Sequence, residues 1–398
     1  MKRKIEDKQL NYHLQRIHMD TEIPPSGRAN DPAATDISPG AVSPSLSTHK
    51  QAKLLRACRE GDLETVKSLL ESGQFSASEQ DADGNGTSPL IEAARAGHLS
   101  VCRHLIERGA PWNAVDKNSR CAGNHASDTG FQNVVDYLVE IAVTAELLLG
   151  ASIRTEMSSS GGSGVASGAG PVEQEPCTKP DYLSTDVRYD NDVLLDRDGD
   201  AVMMEWERPL MDAHASIIAG RGGQTVMNVG FGMGIIDSIL QEKHSPKLHV
   251  IIEAHPGVLA KMDSEGWGSK KKGVRVVRGK WQDEIPKLVG EGIKFDGIFF
   301  DTYGEHFTDL ENFHNLLPQI LQKASGVYSF FNGLAPDNIF FHGVACQCVK
   351  LQLGGIGLDT EFASCEMDVS DETWKGVRRK YWHNGTYYLP ICTWKTTE

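Results

Sequence analysis

The stretch that most constrains this chain spans residues 224–237, QTVMNVGFGMGIID. Its opening, Thr225 to Val229, is a short apolar run of the kind that becomes a buried strand. Gly230, Gly232 and Gly234 follow at alternate positions, and an apolar-periodic segment then opens a helix. Strand, glycine-rich turn and helix together bring backbone N–H groups and a helix N-terminus up to a ligand, as α/β domains do. The dinucleotide fingerprint G-x-G-x-x-G requires glycine at 235, where Ile235 stands, and no G-x-x-x-x-G-K-[ST] occurs. The turn therefore predicts an α/β domain and leaves its ligand open.

Strands and helices alternate downstream. Residues 248–253, 274–277, 295–301 and 327–331 read as strands, with helices starting at Pro256 and spanning 282–289 and 310–323. Two more strand candidates lie at 360–367 and 386–394. This pattern predicts a doubly wound, Rossmann-like parallel sheet of seven strands, with ligand groups at strand C-terminal ends and an antiparallel closing edge.

A repeat precedes this domain. Ala57…Gly61, Ala93…Gly97 and Ala126…Gly130 share one offset, and the glycines are 36 and 33 residues apart. Apolar residues recur after each glycine: Val66, Leu69, Leu70; Val101, Leu105, Ile106; Val134, Leu138, Val139. The unit SPLIEAARAGHLSVCRHLIERGAPWNAVD resembles an ankyrin repeat, a helix pair that buries its apolar face only by stacking on neighbours. His98, His104 and His125 fall at repeat positions and read as structural. The expected organisation is a charged, Pro/Ser-rich segment at 1–50, an all-α ankyrin-repeat domain at 51–150, a Gly/Ser-rich linker at 151–180 and the α/β domain at 181–398.

The net charge of -14 disfavours nucleic acid or an anionic membrane as the main partner and suits a cationic substrate. Eight cysteines without paired C-x-x-C spacing read as reduced and intracellular, and no metal site is expected. No apolar run reaches the roughly 18 residues of a membrane span, and MKRKIEDK lacks a signal-peptide core. Lys2-Arg3-Lys4 is readable by nuclear import machinery, or is a solvated terminal cluster.

Two acids stand at strand ends. Glu253 lies 23 positions after Gly230, where an acid accepts both hydroxyls of a ribose. Asp301 closes FDGIFFD and projects into the crevice, where an acid is costly unless paired or catalytic. Upstream, AVMMEWERPLMDAH carries Glu205, Glu207 and Arg208 on what reads as a helix or lid. Spacing alone also admits an amphipathic packing helix with a surface Glu–Arg pair.

The segments VMMEWERPLM, VGFGMGIID, VIIEAHPGV, GKWQDEIP and FDGIFFDTY follow one another as in guanidinoacetate methyltransferase. With the ankyrin-like region added, the chain resembles the fungal protein arginine N-methyltransferases of the delta-nitrogen type. The resemblance implies S-adenosylmethionine (SAM) as cofactor and a SAM-methyltransferase sheet. It implies that Phe231, Gly232, Met233, Gly234, Ile235 and Ile236 wrap its methionine and ribose portions, and that Glu253 takes the ribose hydroxyls with Ala254 and His255 beside the adenine. Trp281 and Gln282 border the adenine, the small-molecule family having an acid at the position of Gln282. Met203 and Tyr189 cover the cofactor from the lid, and Glu207 and Asp301 hold the guanidino group, Asp301 bordering the cofactor as well. Glu205 is an unmatched acid able to substitute for or assist Glu207.

Those implications suit the chemistry. An arginine guanidinium is protonated at any ordinary pH, with its lone pairs delocalised. Two carboxylates bind its planar fork bidentately and take up the proton that becomes acidic on alkylation. If they grip the terminal nitrogens, the internal nitrogen is left to react. The resemblance thus implies delta-N-monomethylation of a basic protein, a large-subunit ribosomal protein docked by the repeats, by a monomer in cytoplasm and nucleus. A small-molecule guanidino methyltransferase and a non-catalytic ankyrin scaffold are the competing readings. The repeat module argues against the first, and intact Gly230, Gly232, Glu253, Glu207 and Asp301 argue against the second.

Overall fold

The computed structural model describes residues 46–396 apart from 82–83, 160–178, 180, 221–222, 306 and 368. The expected segment at 1–50 and the linker at 151–180 lie mostly outside the described residues. The described residues fall into two compact units, the first made of those up to Ser159 with Asn338–Ala345, the second of those from Lys179 to Asp337 with those from Cys346 on.

In the first unit, helices pair as the repeat spacing predicts: α1 (Leu46–Glu60) with α2 (Leu63–Glu71), α3 (Pro89–Arg95) with α4 (Leu99–Glu107), and α5 (Ala122–Asp128) with α6 (Gln132–Ser159). Gly61, Gly97 and Gly130 turn each pair at φ 73°, 77° and 76°. Ser88 caps α3 by accepting the Ile91 N–H, and Pro89 sits in the first turn, where a missing N–H costs nothing. The repeat-spaced Val66, Val101, Leu105, Val134 and Leu138 are buried at the interfaces. Buried Glu92 ties neighbouring repeats, accepting from Arg59 Nε at 2.8 Å and Thr87 Oγ1 at 3.1 Å. His98 bonds the Arg59 carbonyl at 3.0 Å, a structural role like that expected.

In the second unit, β1 (Arg188–Asp190), β2 (Val193–Leu195) and β3 (Ala201–Met204) form a small antiparallel sheet. Helix α7 (Arg208–Ala219) leads into the main sheet, whose strands are β4 (Thr225–Val229), β5 (Leu248–Glu253), β6 (Val274–Arg278), β7 (Gly297–Phe300), β8 (Val327–Phe330), β9 (Leu358–Glu366) and β10 (Thr386–Trp394). Their order is β6-β5-β4-β7-β8-β10-β9, parallel through β8, with β10 antiparallel to both neighbours. The seven-stranded sheet with an antiparallel edge is the one expected. Helices α8 (Ile235–Ile239), α9 (Pro256–Glu265), α10 (Trp281–Gly290), α11 (Phe307–His314) and α12 (Leu317–Ile320) lie in this unit, as does α13 (Ile339–Gly355) from Cys346 on, its first residues belonging to the first unit.

β4 is central, and parallel central strands are covered on both faces. Its alternating side chains accordingly enter two cores: Met227 and Val229 pack with Ile252 and Phe300, while Val226 packs with Ile251 and Phe299 on the other side. Asn228 on β4 is fully buried and donates to Asp237 Oδ2 of α8 at 2.8 Å, and Asp237 in turn faces His249 of β5 at 2.9 Å. These three polar side chains hold strand, helix and neighbouring strand in register just below the glycine turn.

Two expectations need correction. The helix expected over 310–323 is two pieces, α11 and α12, because Pro318 lacks the N–H a continuous helix needs and instead sits in the first turn of a new one. Gln322 then donates to the Phe295 carbonyl at 2.8 Å, which ends helical geometry. The segment AVMMEWERPLMDAH is not one helix. Its first four residues are β3, Glu205–Glu207 make a single 3₁₀ turn, and α7 begins at Arg208 with Pro209 in its first turn.

Candidate active site

Chain order leaves β4 toward β5 and β6 and returns on the other side as β7, so the sheet's switch point lies between β4 and β7. Clefts open there, outside the carboxyl ends of the strands. Gly230 ends β4 at φ 92°, and a Cβ on it would sit 1.8 Å from the Asp301 carbonyl oxygen that follows β7. A Cβ on Gly232 would lie 2.9 Å from Met203 Sδ. Only glycines let the turn close against these two neighbours, and the space they leave is part of a cleft of about 290 Å³.

The cleft is lined by Met203, Gly230, Gly232, Glu253, Ala254, Trp281, Gln282 and Asp301 among others. Glu253 ends β5 with its carboxylate turned back onto the chain: Oε2 accepts the Phe231 N–H at 2.9 Å, and Oε1 accepts those of Ala254 and His255 at 2.7 and 2.6 Å. Burial pushes its pKa up, and these three backbone bonds oppose the shift. A carboxylate so oriented keeps acceptor sites for a diol at the cleft wall. A glycine-walled cleft with an anchored acid fits the nucleoside of SAM.

Of the other expected cofactor residues, Phe231, Ile235 and Ile236 are 1–2 % exposed and pack in the core beneath the turn. Any contact they make runs through their backbone at the start of α8. Met233 donates its N–H to Met203 Sδ at 3.3 Å, and Tyr189 donates its hydroxyl to the Gly232 carbonyl at 2.9 Å. The small sheet β1–β3 is thereby fastened over the glycine turn. Gly234 caps α8 in the left-handed region, and His255 caps α9 through its ring, its Nε2 3.0 Å from the Thr185 carbonyl oxygen. Tyr189, Gly234 and His255 frame the turn without lining the cleft.

Glu207 and Asp301 are two acids that interact, although only Asp301 is among the residues lining the cleft. Burial raises the Asp301 pKa to about 7. Glu207 is 3 % exposed, and its pKa is raised to about 8, first by burial and then by the charge of Asp301. Its Oε1 accepts the Met204 N–H at 3.0 Å and the hydroxyl of Tyr381, while Oε2 takes neither. Glu205 points elsewhere. It pairs with Arg208, accepting Nη2 at 3.0 Å with both side chains solvent-facing, and is therefore the surface pair that spacing alone admitted.

Several residues at the site carry no signal in the sequence. Tyr381 reaches Glu207 from a loop 174 positions away. Lys179 donates to Asp196 and Asp198 at 2.7 Å each and to Asp200 at 3.0 Å, latching itself and the strap at 181–187 to the β2–β3 turn. Tyr182 on that strap packs on His255 and Tyr303, with ring centroids 4.6 and 4.9 Å apart. None of these obeys a spacing rule. The run of acids at 196, 198 and 200 was the one visible cue.

A family model described as guanidinoacetate N-methyltransferase matches residues 172–338, and one described as ankyrin repeats (3 copies) matches 54–147. Proteins named protein arginine N-methyltransferase 2 are similar along most of the chain. That of Aspergillus oryzae is 35% identical over 74% of this chain and 77% of its own length. That of Emericella nidulans is 32% identical over 92% and 91%, and that of Candida glabrata 32% over 88% and 96%.

Proposed function

The chain belongs to the protein arginine N-methyltransferase 2 family and is a SAM-dependent methyltransferase, and on that premise we propose that it places one methyl group on the internal, delta nitrogen of an arginine in a basic protein. SAM, when bound, supplies a methyl group on a positive sulfonium. The chain's own residues do the rest.

The observation that carries this reading is a pair of mutually interacting acids, Asp301 on the cleft wall and Glu207 buried at the end of the 3₁₀ turn, with pKa values raised to about 7 and about 8. A guanidinium entering between them restores their ionised forms and is held through charge-assisted hydrogen bonds. Held by its terminal nitrogens, it presents the internal nitrogen to the methyl donor. Acids with pKa values near neutrality are also suited to accept the proton that nitrogen sheds. Glu253 and the glycine turn fix the nucleoside, so orientation is set from both sides.

In this proposal the ankyrin repeats dock the protein substrate, an array a free guanidino acid does not need. The acidic chain favours a basic partner, and a large-subunit ribosomal protein meets that description. Cytoplasm and nucleus, where such proteins are made and assembled, are the corresponding compartments, and the chain acts there as a monomer.

The test is to incubate the full chain with methyl-labelled SAM and cell extract, with free guanidinoacetate in a parallel tube, and to map the product by fragmentation mass spectrometry. Delta-N-monomethylarginine in a basic protein is expected. Label on terminal nitrogens overturns the regiochemistry, and label on guanidinoacetate alone overturns the protein substrate.

A further inference from the structure

The carboxylate of Glu305 stands on the cleft wall under three donors from its surroundings. Trp281 Nε1 lies 3.0 Å from both of its oxygens, Gln282 Nε2 is 2.9 Å from Oε1, and Thr302 Oγ1 is 2.5 Å from Oε2. An indole, an amide and a hydroxyl carry no charge, so they orient the acid without neutralising it. A carboxylate offers about four lone-pair sites; here three neutral protons serve four contacts, the Trp281 N–H being shared between both oxygens, so the weakly held edge can turn to a further donor. Such a donor comes from whatever fills the cleft beside Trp281 and Gln282, which Glu305 lines with them.

These two residues are those expected beside adenine, and in the guanidinoacetate methyltransferases the position of Gln282 is an acid. Here Gln282 cannot supply a carboxylate, and its amide instead donates to one from another element. We infer that Glu305 accepts the exocyclic amino group of the SAM adenine, with Trp281, Gln282 and Thr302 serving as positioning residues for its carboxylate. Adenine presents an N–H donor there, whereas a purine lacking the amino group presents only a C–H. A charged acceptor facing that edge therefore selects the amino group, and the selection does not depend on which nitrogen of the substrate is methylated.

The test is calorimetric binding, without turnover, of S-adenosylhomocysteine and of its analogue in which hydrogen replaces the adenine amino group. Losing one hydrogen bond to a charged group corresponds to about tenfold or more in affinity. The wild-type chain is expected to bind the analogue at least about tenfold more weakly. In Glu305→Ala the two ligands should bind within about twofold of each other. The double exchange Glu305→Gln with Gln282→Glu returns the acid to the neighbouring position and should restore the preference. Because the readout is a ratio within each protein, a general loss of affinity does not imitate it. A wild-type chain indifferent to the amino group overturns the inference. So does a preference that survives Glu305→Ala, and its loss in Asp309→Asn would then reassign it to the other acid of that wall.

Discussion

Tyr381 donates its hydroxyl to Glu207 Oε1, the same oxygen that accepts the Met204 backbone N–H. The tyrosine is itself held between Trp206 and Trp374, with ring centroids 5.8 and 5.0 Å away. Glu207 is thus fixed by one contact from its own turn and one from a distant loop. Tyr381→Phe keeps the ring and removes only the donor. A hydrogen bond to the ionised form lowers a carboxyl pKa, so its loss moves the Glu207 pKa further up. The expected result is a kcat/KM for protein substrate lowered by about tenfold, with the acid limb of its pH profile displaced upward. SAM affinity, measured by calorimetry, should stay as it was. An unmoved limb would reduce Tyr381 to a packing residue.

Because Glu207 and Asp301 have pKa values raised to about 8 and about 7, the free enzyme at neutral pH carries protons that a bound guanidinium must displace. The kcat/KM for protein substrate should therefore climb as pH rises from about 6 to 9, and substrate binding should release protons. Calorimetric enthalpies measured in buffers of different ionisation heat would show that release. A flat profile with no proton release contradicts the shifted acids.

The sheet was legible because its signals are local. β4 to β8 each pair a short apolar run with a following turn, and Glu253 and Asp301 stand at strand ends where the fold places ligand groups. The small sheet β1–β3 was not legible, since three strands of three or four residues fall below any periodicity, and β3 continues straight into a 3₁₀ turn. The separation of Glu205 from Glu207 could not be read either. Two residues apart, they differ only in which way one 3₁₀ turn points them. Tyr381 enters through tertiary contacts alone, Glu305 through Trp281 and Gln282 besides its near neighbour Thr302, and α13 lacks the amphipathic pattern that marks a surface helix.

The Lys179 latch predicts a loss of order near the cofactor. Lys179→Met keeps the side chain's length but deletes three hydrogen bonds to Asp196, Asp198 and Asp200. Tyr182 then loses its anchor beside His255, and the affinity for S-adenosylhomocysteine should fall by roughly three- to tenfold. Asp200 carries a pH signature of its own. The Arg378 hydrogen bond lowers its pKa to about 2, so its stabilisation is present above the usual carboxylate pKa and fades as pH falls toward 2. Thermal unfolding of Asp200→Asn should approach that of the wild-type chain as pH is lowered from about 5 to 3. Equal differences at both ends would dismiss the latch's electrostatic part.

Activity and stability should part company at Glu207. Replacing it by Gln keeps an acceptor for Met204 and Tyr381 while removing the charge proposed to hold the guanidinium, so methyl transfer should fall by about a thousandfold or more with SAM affinity retained. The stability change has the opposite sign. The folded-state pKa of Glu207 lies above its ordinary value, so folding takes up a proton between the two. The wild-type chain is therefore most favoured below about pH 4.5 and loses stability as pH rises through about 8. Gln has no proton to lose. Glu207→Gln should melt close to wild type near pH 5 and on the order of ten degrees above it near pH 9, since a rise from 4.5 to about 8 corresponds to about 5 kcal/mol and about 1 kcal/mol moves Tm by about 2–4 °C in a domain of this size. Asp301→Asn should repeat the pattern with its midpoint nearer pH 7. An inactive variant equally stable or less stable at pH 9 would mean that the buried charge is offset by partners other than the substrate, and that the site is not poised for a cation.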